Sequence, residues 1–91
     1  MKRITRFKWD AWNVNHIARH RVRPEEAEEV FFNEPVFRRG RGGTRVALGR
    51  TDTGRLLTVI YADRPGSAVY VVTARDMDRK ERRLYRRERR R

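Results

Sequence analysis

The segment from Arg45 to Ala74 decides the fold, and it reads RVALGRTDTGRLLTVIYADRPGSAVYVVTA. It contains three runs rich in apolar residues, Arg45–Arg50, Leu56–Ala62 and Ala68–Ala74. Residues typical of turns separate these runs at 51–54 and 64–67, with the short spacing of β-hairpins. The sequence therefore predicts three antiparallel strands joined as a meander.

The second and third predicted strands are apolar on both faces. Side chains alternate between the two faces of a strand, so a strand with one face in water alternates apolar and polar residues. Here the apolar residues occupy both faces, at Leu56, Leu57, Val59, Ile60 and Tyr61, and at Val69, Val71 and Val72. We expect these strands to lie centrally in the sheet, with helices covering part of each face.

The residues before the meander predict one strand and two helices. Residues 3–9 alternate with the period of an edge strand, and Asp10 is placed to cap a helix over residues 11–19. Pro24 favours the first turn of a second helix, where its missing N–H is not needed. Asn33-Glu34-Pro35 ends that helix.

A short strand at residues 36–38 precedes the meander, and a helix follows it. That last helix is predicted to start near Asp76 or Asp78 and to direct Met77, Leu84 and Tyr85 inward. No apolar residue follows Tyr85, so residues 86–91 are predicted to fray. The fold class is therefore α+β, with residues 1–91 predicted to form a single domain.

The composition favours a polyanionic partner. The 91 residues carry 24 Lys and Arg against 12 Asp and Glu, a net charge of +12. Charge of this size attracts nucleic acid most commonly, while a membrane surface or an acidic protein are alternatives. There are no cysteines, which excludes disulfides and cysteine-zinc sites. No run approaches a membrane span or a signal peptide, so we expect a cytoplasmic protein without a membrane partner.

Two basic segments are candidate RNA-binding surfaces. The segment Arg39-Gly40-Arg41-Gly42-Gly43 is predicted to be an exposed loop that presents Arg39 and Arg41. Residues 79–91 hold nine of the 24 basic residues and two of the 12 acidic ones, and Arg82, Arg83 and Arg86 are the candidates there. Such residues neutralise phosphates and make affinity depend on salt. An arginine-rich terminus exposed to water is the simpler interpretation of the second segment.

Both histidines fall on one face of the first predicted helix. His16 and His20 have the i, i+4 spacing of metal ligands, but with no cysteine and no third histidine we predict no metal site. Packing against Trp9 or Trp12 is the expected role of His16. His20 lies at the helix C-terminus, where a cation is stabilised, and could serve as a general acid or base.

Arg75 is a candidate phosphate ligand at the rim of the sheet. It follows an apolar strand and precedes a helix, so its side chain emerges from a rigid element and could bind a phosphate with two hydrogen bonds. The alternative is a simple ion pair with Glu81 or Asp78. Glu81 and Tyr85 share a helical face at i, i+4, which would bring a carboxylate or a phenol towards a ligand of Arg75.

Several motifs together resemble the BrnT family of toxins over almost the whole chain. They are Trp9-Asp10 opening a helix, Arg19-His20-Arg21-Val22, Glu25-Glu26-Ala27 with Val30-Phe31 and a following Pro35, Gly54-Arg55-Leu56-Leu57, Thr73-Ala74-Arg75, and Glu81-Arg82 before Tyr85. The resemblance implies a small α+β fold similar to RelE and a toxin of a type II toxin-antitoxin system. It also implies cleavage of RNA until a BrnA-like antitoxin binds.

The matching positions and the departures are both informative. His20, Arg55, Arg75, Glu81 and Tyr85 match the family pattern. Where the family usually has Lys-His-Gly-Val, Arg21 replaces the glycine at a helix end of the kind that needs a positive φ. Lys8 replaces a commonly acidic residue, and the interval from Trp9-Asp10 to His20 is shorter than usual.

The leading hypothesis is a metal-independent endoribonuclease that uses the 2′-hydroxyl of RNA as nucleophile and needs no cofactor. His20 or Glu81 would be the base, Arg75 with Arg55 would stabilise the charge on the phosphate, and Tyr85 or a histidine would assist the leaving group. All five would surround one phosphodiester. Two alternatives are a non-catalytic module that binds nucleic acid or a partner protein, and a toxin homologue that has lost catalysis.

Overall fold

The chain folds as a five-stranded sheet with three helices in the computed structural model, which describes residue 4 and residues 6–89. In chain order the elements are β1 (Arg6–Lys8), α1 (Ala11–Ala18), α2 (Pro24–Phe32), β2 (Val36–Arg39), β3 (Arg45–Arg50), β4 (Leu56–Arg64), β5 (Ala68–Asp76) and α3 (Arg79–Arg89). This is the α+β class that the sequence predicts, with the predicted elements in the predicted order.

The sheet is mixed, with strand order β1-β5-β4-β3-β2. Strands β2 to β5 pair antiparallel with their sequence neighbours, which confirms the meander. The short strand β1 adds to the outer edge of β5 in parallel, so the predicted edge position is also confirmed. Residues 3 and 5, which belong to the predicted first strand, lie outside the described part of the chain.

Strands β4 and β5 are each longer than predicted. Their register pairs Arg64 with Ala68 at the turn, and Leu57 with Asp76 at the other end. A register shift at Ile60 and Tyr61 marks a β-bulge in this pair. Because β5 reaches Asp76, the successive residues Arg75 and Asp76 point to opposite faces of the sheet.

The larger core lies between the sheet and helices α1 and α2. Ile17 of α1 and Val30 of α2 are fully buried, and they belong to one apolar cluster with Val59 and Val71 of the central strands. The Phe31 ring packs edge-on against Tyr61, with centroids 5.0 Å apart. The two N-terminal helices therefore cover one face of the meander, as predicted.

A smaller core lies on the opposite face, beneath α3. Leu48, Met77 and Tyr85 are its buried members, and Leu56 and Leu84 pack against them. The predicted inward direction of Met77, Leu84 and Tyr85 is confirmed, although Met77 precedes the helix. Since α3 is a single helix of eleven residues, it leaves part of this face open at the ends of the strands.

Asn13 ties helix α1 to the sheet. Its backbone N–H donates to the Asp10 carboxylate, and its side-chain oxygen accepts from the Asp10 N–H, so the two residues form a capping box. Its side-chain NH2 donates to the carbonyls of Lys8 in β1 and Val71 in β5. The predicted cap at Asp10 is confirmed, and the fully buried Asn13 shows how α1 is fixed to two strands.

Helix α1 ends in a turn that places Arg21 in the left-handed region. The Val22 N–H donates to the Ile17 carbonyl and the Arg21 N–H to the Ala18 carbonyl, which is the hydrogen-bonding pattern of a Schellman motif. Arg21 has φ 58°. The position where the family usually has glycine therefore has a positive φ, as predicted for this helix end.

Helix α3 is capped at its start and held at its end. The Glu81 N–H donates to the Asp78 carboxylate and the Asp78 N–H to the Glu81 carboxylate, a second capping box. Glu88 pairs with Arg38 at 3.2 Å, and Arg89 pairs with Glu34 at 2.7 Å. These contacts explain why the helix continues through Arg89, whereas the sequence predicted fraying from residue 86. Residues 90 and 91 of that segment are outside the described residues.

None of the helices described is both long and apolar enough to cross a membrane.

Replacing Arg21 by Gly should stabilise the protein. A left-handed conformation costs an L-residue about 1–2 kcal/mol, while glycine adopts it freely and loses part of that gain through chain entropy. We expect the Arg21→Gly variant to raise the free energy of unfolding by roughly 1 kcal/mol in urea titrations. Arg19→Gly is the matched control: Arg19 has φ −61°, so glycine there should lower stability. Destabilisation by both variants would contradict this account of the turn.

Candidate active site

Arg75 and Glu81 form a bidentate ion pair at the end of β5. Nη1 and Nη2 of Arg75 donate to Oε1 and Oε2 of Glu81 at 2.8 and 2.9 Å. Thr58 of β4 lies directly opposite Arg75, so both side chains are on the face that carries α3. The Thr58 hydroxyl donates to Glu81 Oε1 at 2.9 Å. These three residues form the rim cluster, in which Thr58 was not predicted because the sequence does not show strand register.

The Glu81 carboxylate accepts four hydrogen bonds, three at Oε1 and one at Oε2. Besides Arg75 and Thr58, the Asp78 N–H donates to Oε1 at 2.9 Å. These bonds, that of Arg75 above all, lower the pKa of Glu81 to about 2, although burial acts in the opposite direction. A carboxylate of this kind stays ionised and accepts a proton poorly. Glu81 is therefore better suited to holding Arg75 than to acting as a base.

Arg75 keeps one edge of its guanidinium available. Its Nη atoms contact Glu81, and Nη1 also donates to the Asp76 carbonyl at 3.2 Å. Among the described residues, none accepts a hydrogen bond from its Nε. About a third of the side chain is exposed. An arginine fixed on one side by a carboxylate and open on the other can bind a phosphate oxygen.

Arg55 lies on the other face of the sheet, where protein groups occupy its donors. Its Nε and Nη2 donate to the Asp76 carboxylate, and its Nη1 and Nη2 donate to the carbonyls of Arg21 and His20. Its Nη1 also contacts Glu26 at 3.4 Å. These contacts account for all five N–H groups of a guanidinium. Arg55 thus fixes the end of α1 to the sheet and has no donor left for a phosphate.

Asp76 connects this clamp to His20. The hydrogen bond from Arg55 is the main cause that lowers the pKa of the Asp76 carboxyl, burial opposes it, and the charges of Arg82 and His20 contribute further lowering. The His20 side chain is exposed, and its ring contacts His16 edge-on, while His16 stacks on Trp12; the three lie on one side of α1, as predicted. In the described part of the chain, no three His, Cys, Asp or Glu residues gather as a metal site would require.

The predicted site residues thus form two groups and not one pocket. Arg75 and Glu81 lie on the α3 face, while Arg55 and the His20 backbone lie on the α1 face, and Asp76 joins the groups. Among the described residues, no hydrogen bond or ring contact links His20 directly to Arg75. The split follows from the unpredicted length of β5, which turns adjacent residues to opposite faces.

Tyr85 lies in the smaller core. Its side chain is only 6% exposed, and it packs with Leu48 and Met77. The Arg89 guanidinium lies over its ring at 5.9 Å. Tyr85 lies on the same side of α3 as Glu81, as the i, i+4 spacing predicted. Because it is buried, its role in the structure is to pack in the smaller core.

The outer face of α3 carries a stripe of arginines that line one groove. The arginine stripe comprises Arg79, Arg82, Arg83, Arg86 and Arg87. Their spacing of i, i+3, i+4, i+7 and i+8 is that of one helical face. The sequence prediction included the middle three. The same periodicity includes Arg79, which lies inside the predicted helix. It would also have identified Arg87 had the helix been predicted to continue beyond residue 86.

The other predicted RNA-binding pair lies at the β2–β3 turn. Arg39 ends β2 and borders a shallow concave surface with Arg45 and Thr44, and the Arg41 carbonyl accepts two hydrogen bonds from Thr44. In the sheet register, this turn is at the opposite end of β3 from the rim cluster. The two predicted basic surfaces are therefore separate.

A family comparison identifies the chain. The family model described as "Ribonuclease toxin, BrnT, of type II toxin-antitoxin system" matches residues 9–81, most of the chain. The chain belongs to the BrnT family. No curated protein matches it.

Membership in the BrnT family makes the chain a type II ribonuclease toxin, with RNA as target and a cognate antitoxin as partner. The matched region includes His20, Arg55, Arg75 and Glu81. Tyr85 and most of the arginine stripe lie beyond its end. The rim cluster is thus part of the segment that characterises BrnT proteins, whereas most of the stripe is not.

The low pKa of Glu81 should make its ion pair sensitive to acid. Because the pKa is lower in the folded chain than the ordinary value of 4.5, the stabilisation is complete above about pH 4.5 and is lost as pH falls towards 2. We expect wild type to exceed Glu81→Gln by about 2 kcal/mol in free energy of unfolding near pH 6, and by much less near pH 2.5.

Urea titrations at the two pH values measure this difference. Glu25→Gln is the control for removing one negative charge, since Glu25 is exposed and makes no ion pair among the described residues. An advantage of wild type over Glu81→Gln that is the same at both pH values would show that the ion pair contributes nothing to stability.

Proposed function

We propose that the chain is an endoribonuclease in which Arg75 binds the scissile phosphate. The observation that carries the proposal is the Arg75–Glu81 pair, which fixes a guanidinium at the rim with its Nε edge open. In the proposed reaction the RNA 2′-oxygen attacks phosphorus and loses its proton to a base. The bond to the 5′-oxygen breaks, and this oxygen takes up a proton. These steps need a base, an acid and cationic stabilisation, so the proposal includes no metal.

The geometry favours a division of roles among the predicted residues. Glu81 is a positioning residue for Arg75, because both of its oxygens bind that guanidinium and its lowered pKa makes it a poor base. His20 is the proposed base. It lies on the α1 face and Arg75 on the α3 face, but both are at the end of β5 that Asp76 occupies, so the proposal requires the RNA to cross this end of the sheet. Arg55 positions His20 by holding its carbonyl at 3.1 Å. Buried Tyr85 is a weaker candidate for the leaving-group acid than a histidine.

The arginine stripe is the proposed track for the RNA backbone. Helix α3 begins at the rim cluster and runs towards β2, so the stripe leads away from Arg75. Like charges at i, i+4 destabilise a helix, and this helix carries three such pairs between Arg79 and Arg87. A polyanion that binds along the groove would relieve this repulsion. The proposed substrate is RNA, because the reaction needs a 2′-hydroxyl and the track binds a phosphate backbone.

The proposed partner is a small antitoxin similar to BrnA that blocks this site, and the proposed location of the activity is the cytoplasm, where its RNA target is found. A non-catalytic nucleic-acid-binding protein is the second candidate, because the stripe alone would support binding. The two candidates differ in what they require of Arg75.

Replacing Arg75 by Ala should abolish toxicity. Loss of a cation aimed at the developing phosphorane charge costs roughly 3–4 kcal/mol, or at least about 100-fold in rate. Growth after induction and the integrity of total RNA measure the effect in cells. Arg45→Ala is the matched control, since Arg45 also pairs with a carboxylate, Asp63 at 2.8 Å, but at the far end of the sheet. Equal toxicity of wild type and Arg75→Ala would exclude Arg75 from the reaction.

Neutralising the stripe should reduce the salt dependence of RNA binding. Each phosphate contact to a single strand contributes about 0.7 to the slope of log affinity against log salt. We expect Arg83→Gln with Arg87→Gln to reduce that slope by about 1.4, as measured by fluorescence anisotropy. The double variant Arg39→Gln with Arg41→Gln tests the other basic surface. A change of slope in this second variant alone would move the backbone track to the β2–β3 turn.

A further inference from the structure

Three aromatic rings form a continuous ladder on the outer face of α1. The Trp12 and His16 rings are nearly parallel, with centroids 4.8 Å apart and an interplanar angle of 10°. The His20 ring follows at 6.2 Å from His16, at an angle of 68°. We call Trp12, His16 and His20 the ring ladder. Trp12 and His16 are neighbours at i, i+4 on α1, and His20 lies in the turn that directly follows the helix, so the three rings succeed one another along its outer side.

The ring ladder contributes little to the core. Helix α1 is attached to the sheet through its opposite face, where Asn13 and Ile17 are fully buried. Trp12, in contrast, is 57% exposed although indole is the largest side chain in proteins. The other tryptophan is anchored, since Trp9 Nε1 donates to Glu28 at 2.8 Å. Trp12 is thus oriented by a stacked neighbour and still presents much of its ring to water.

The surroundings of the ring ladder suit a single-stranded nucleic acid. Arg19 lies at i+7 from Trp12 and shares its helical face, and it is exposed. At the His20 end the ladder reaches the Arg55–Asp76 clamp. The Asp76 carbonyl accepts a hydrogen bond from the guanidinium of Arg75, the proposed phosphate ligand. The ring ladder, with Arg19 beside it, therefore ends at the strand end that carries Arg75 on its other face.

We propose that the ring ladder is a stacking platform for unpaired nucleobases of the RNA that flanks the scissile phosphate. Aromatic side chains combined with a cationic surface are the usual means of binding single strands, because every base has a face that stacks. The proposal rests on RNA being the substrate, and it adds that the substrate is unpaired where it crosses α1. Double-stranded RNA cannot use the platform, since its bases are already stacked.

The test measures binding of a fluorescein-labelled 2′-O-methyl oligoadenosine of about ten nucleotides, a length within the range of single-strand sites. The 2′-O-methyl group removes the nucleophile, so binding is measured without cleavage. We expect Trp12→Ala to weaken binding about tenfold, the usual effect of losing one stacked base, and Trp12→Phe to retain most of the affinity. Phe32→Ala, at a side chain that is 68% exposed on α2, should leave affinity unchanged.

An abasic strand of the same length separates stacking from charge. It carries the phosphates without the bases, so its affinity should be the same for wild type and Trp12→Ala. Unchanged binding of oligoadenosine to Trp12→Ala, or an equal loss for the abasic strand, would overturn the proposal. Loss of antitoxin binding with unchanged RNA binding would also overturn it and assign the ladder to the protein interface.

The result is independent of the catalytic proposal. If wild type proves not to cleave RNA but Trp12→Ala still loses affinity for oligoadenosine and not for the abasic strand, the platform is supported and the proposed reaction is wrong. If wild type cleaves single-stranded RNA and Trp12→Ala does so with unchanged KM and kcat, the reaction is supported and the platform is wrong.

Discussion

The structure depends on covering both faces of a short, mostly antiparallel sheet with few residues. Strands β4 and β5 are apolar on both sides, so each face must be removed from water. Helices α1 and α2 bury one face around Val59 and Val71. Helix α3 alone covers the other, around Leu48 and Tyr85. Because one helix of eleven residues cannot extend over five strands, polar side chains line the uncovered rim, and Arg75 is among them.

Two carboxylates hold the arginines near this rim in fixed positions. Glu81 both caps α3 and holds Arg75, so the same hydrogen bonds that start the helix fix the guanidinium. On the other face Asp76 holds Arg55, which in turn holds the end of α1. In a chain with twice as many basic as acidic side chains, these pairs leave many arginines without a carboxylate. That excess is what an RNA backbone would neutralise.

Local signals predicted the elements well, and the site less well. The turns, the Asp10 cap, Pro24 and the meander depend on neighbouring residues, so the sequence shows them directly. The positive φ at Arg21 also follows from a local motif. The end of β5 depends on its pairing with β4, which a single strand does not reveal. Arg55 was predicted as a phosphate ligand because its residue type and position fit, but its donors are occupied by groups distant in sequence.

By itself the sequence determined the order of elements, the two-sided burial of the central strands and the excess of positive charge, because alternation, turn residues and composition are local properties. Only the tertiary structure decided which side chains meet. Register placed Thr58 beside Arg75, and the reach of β5 turned Asp76 away from it. These contacts join residues far apart in the chain, and their geometry is set by packing between elements rather than by any one element.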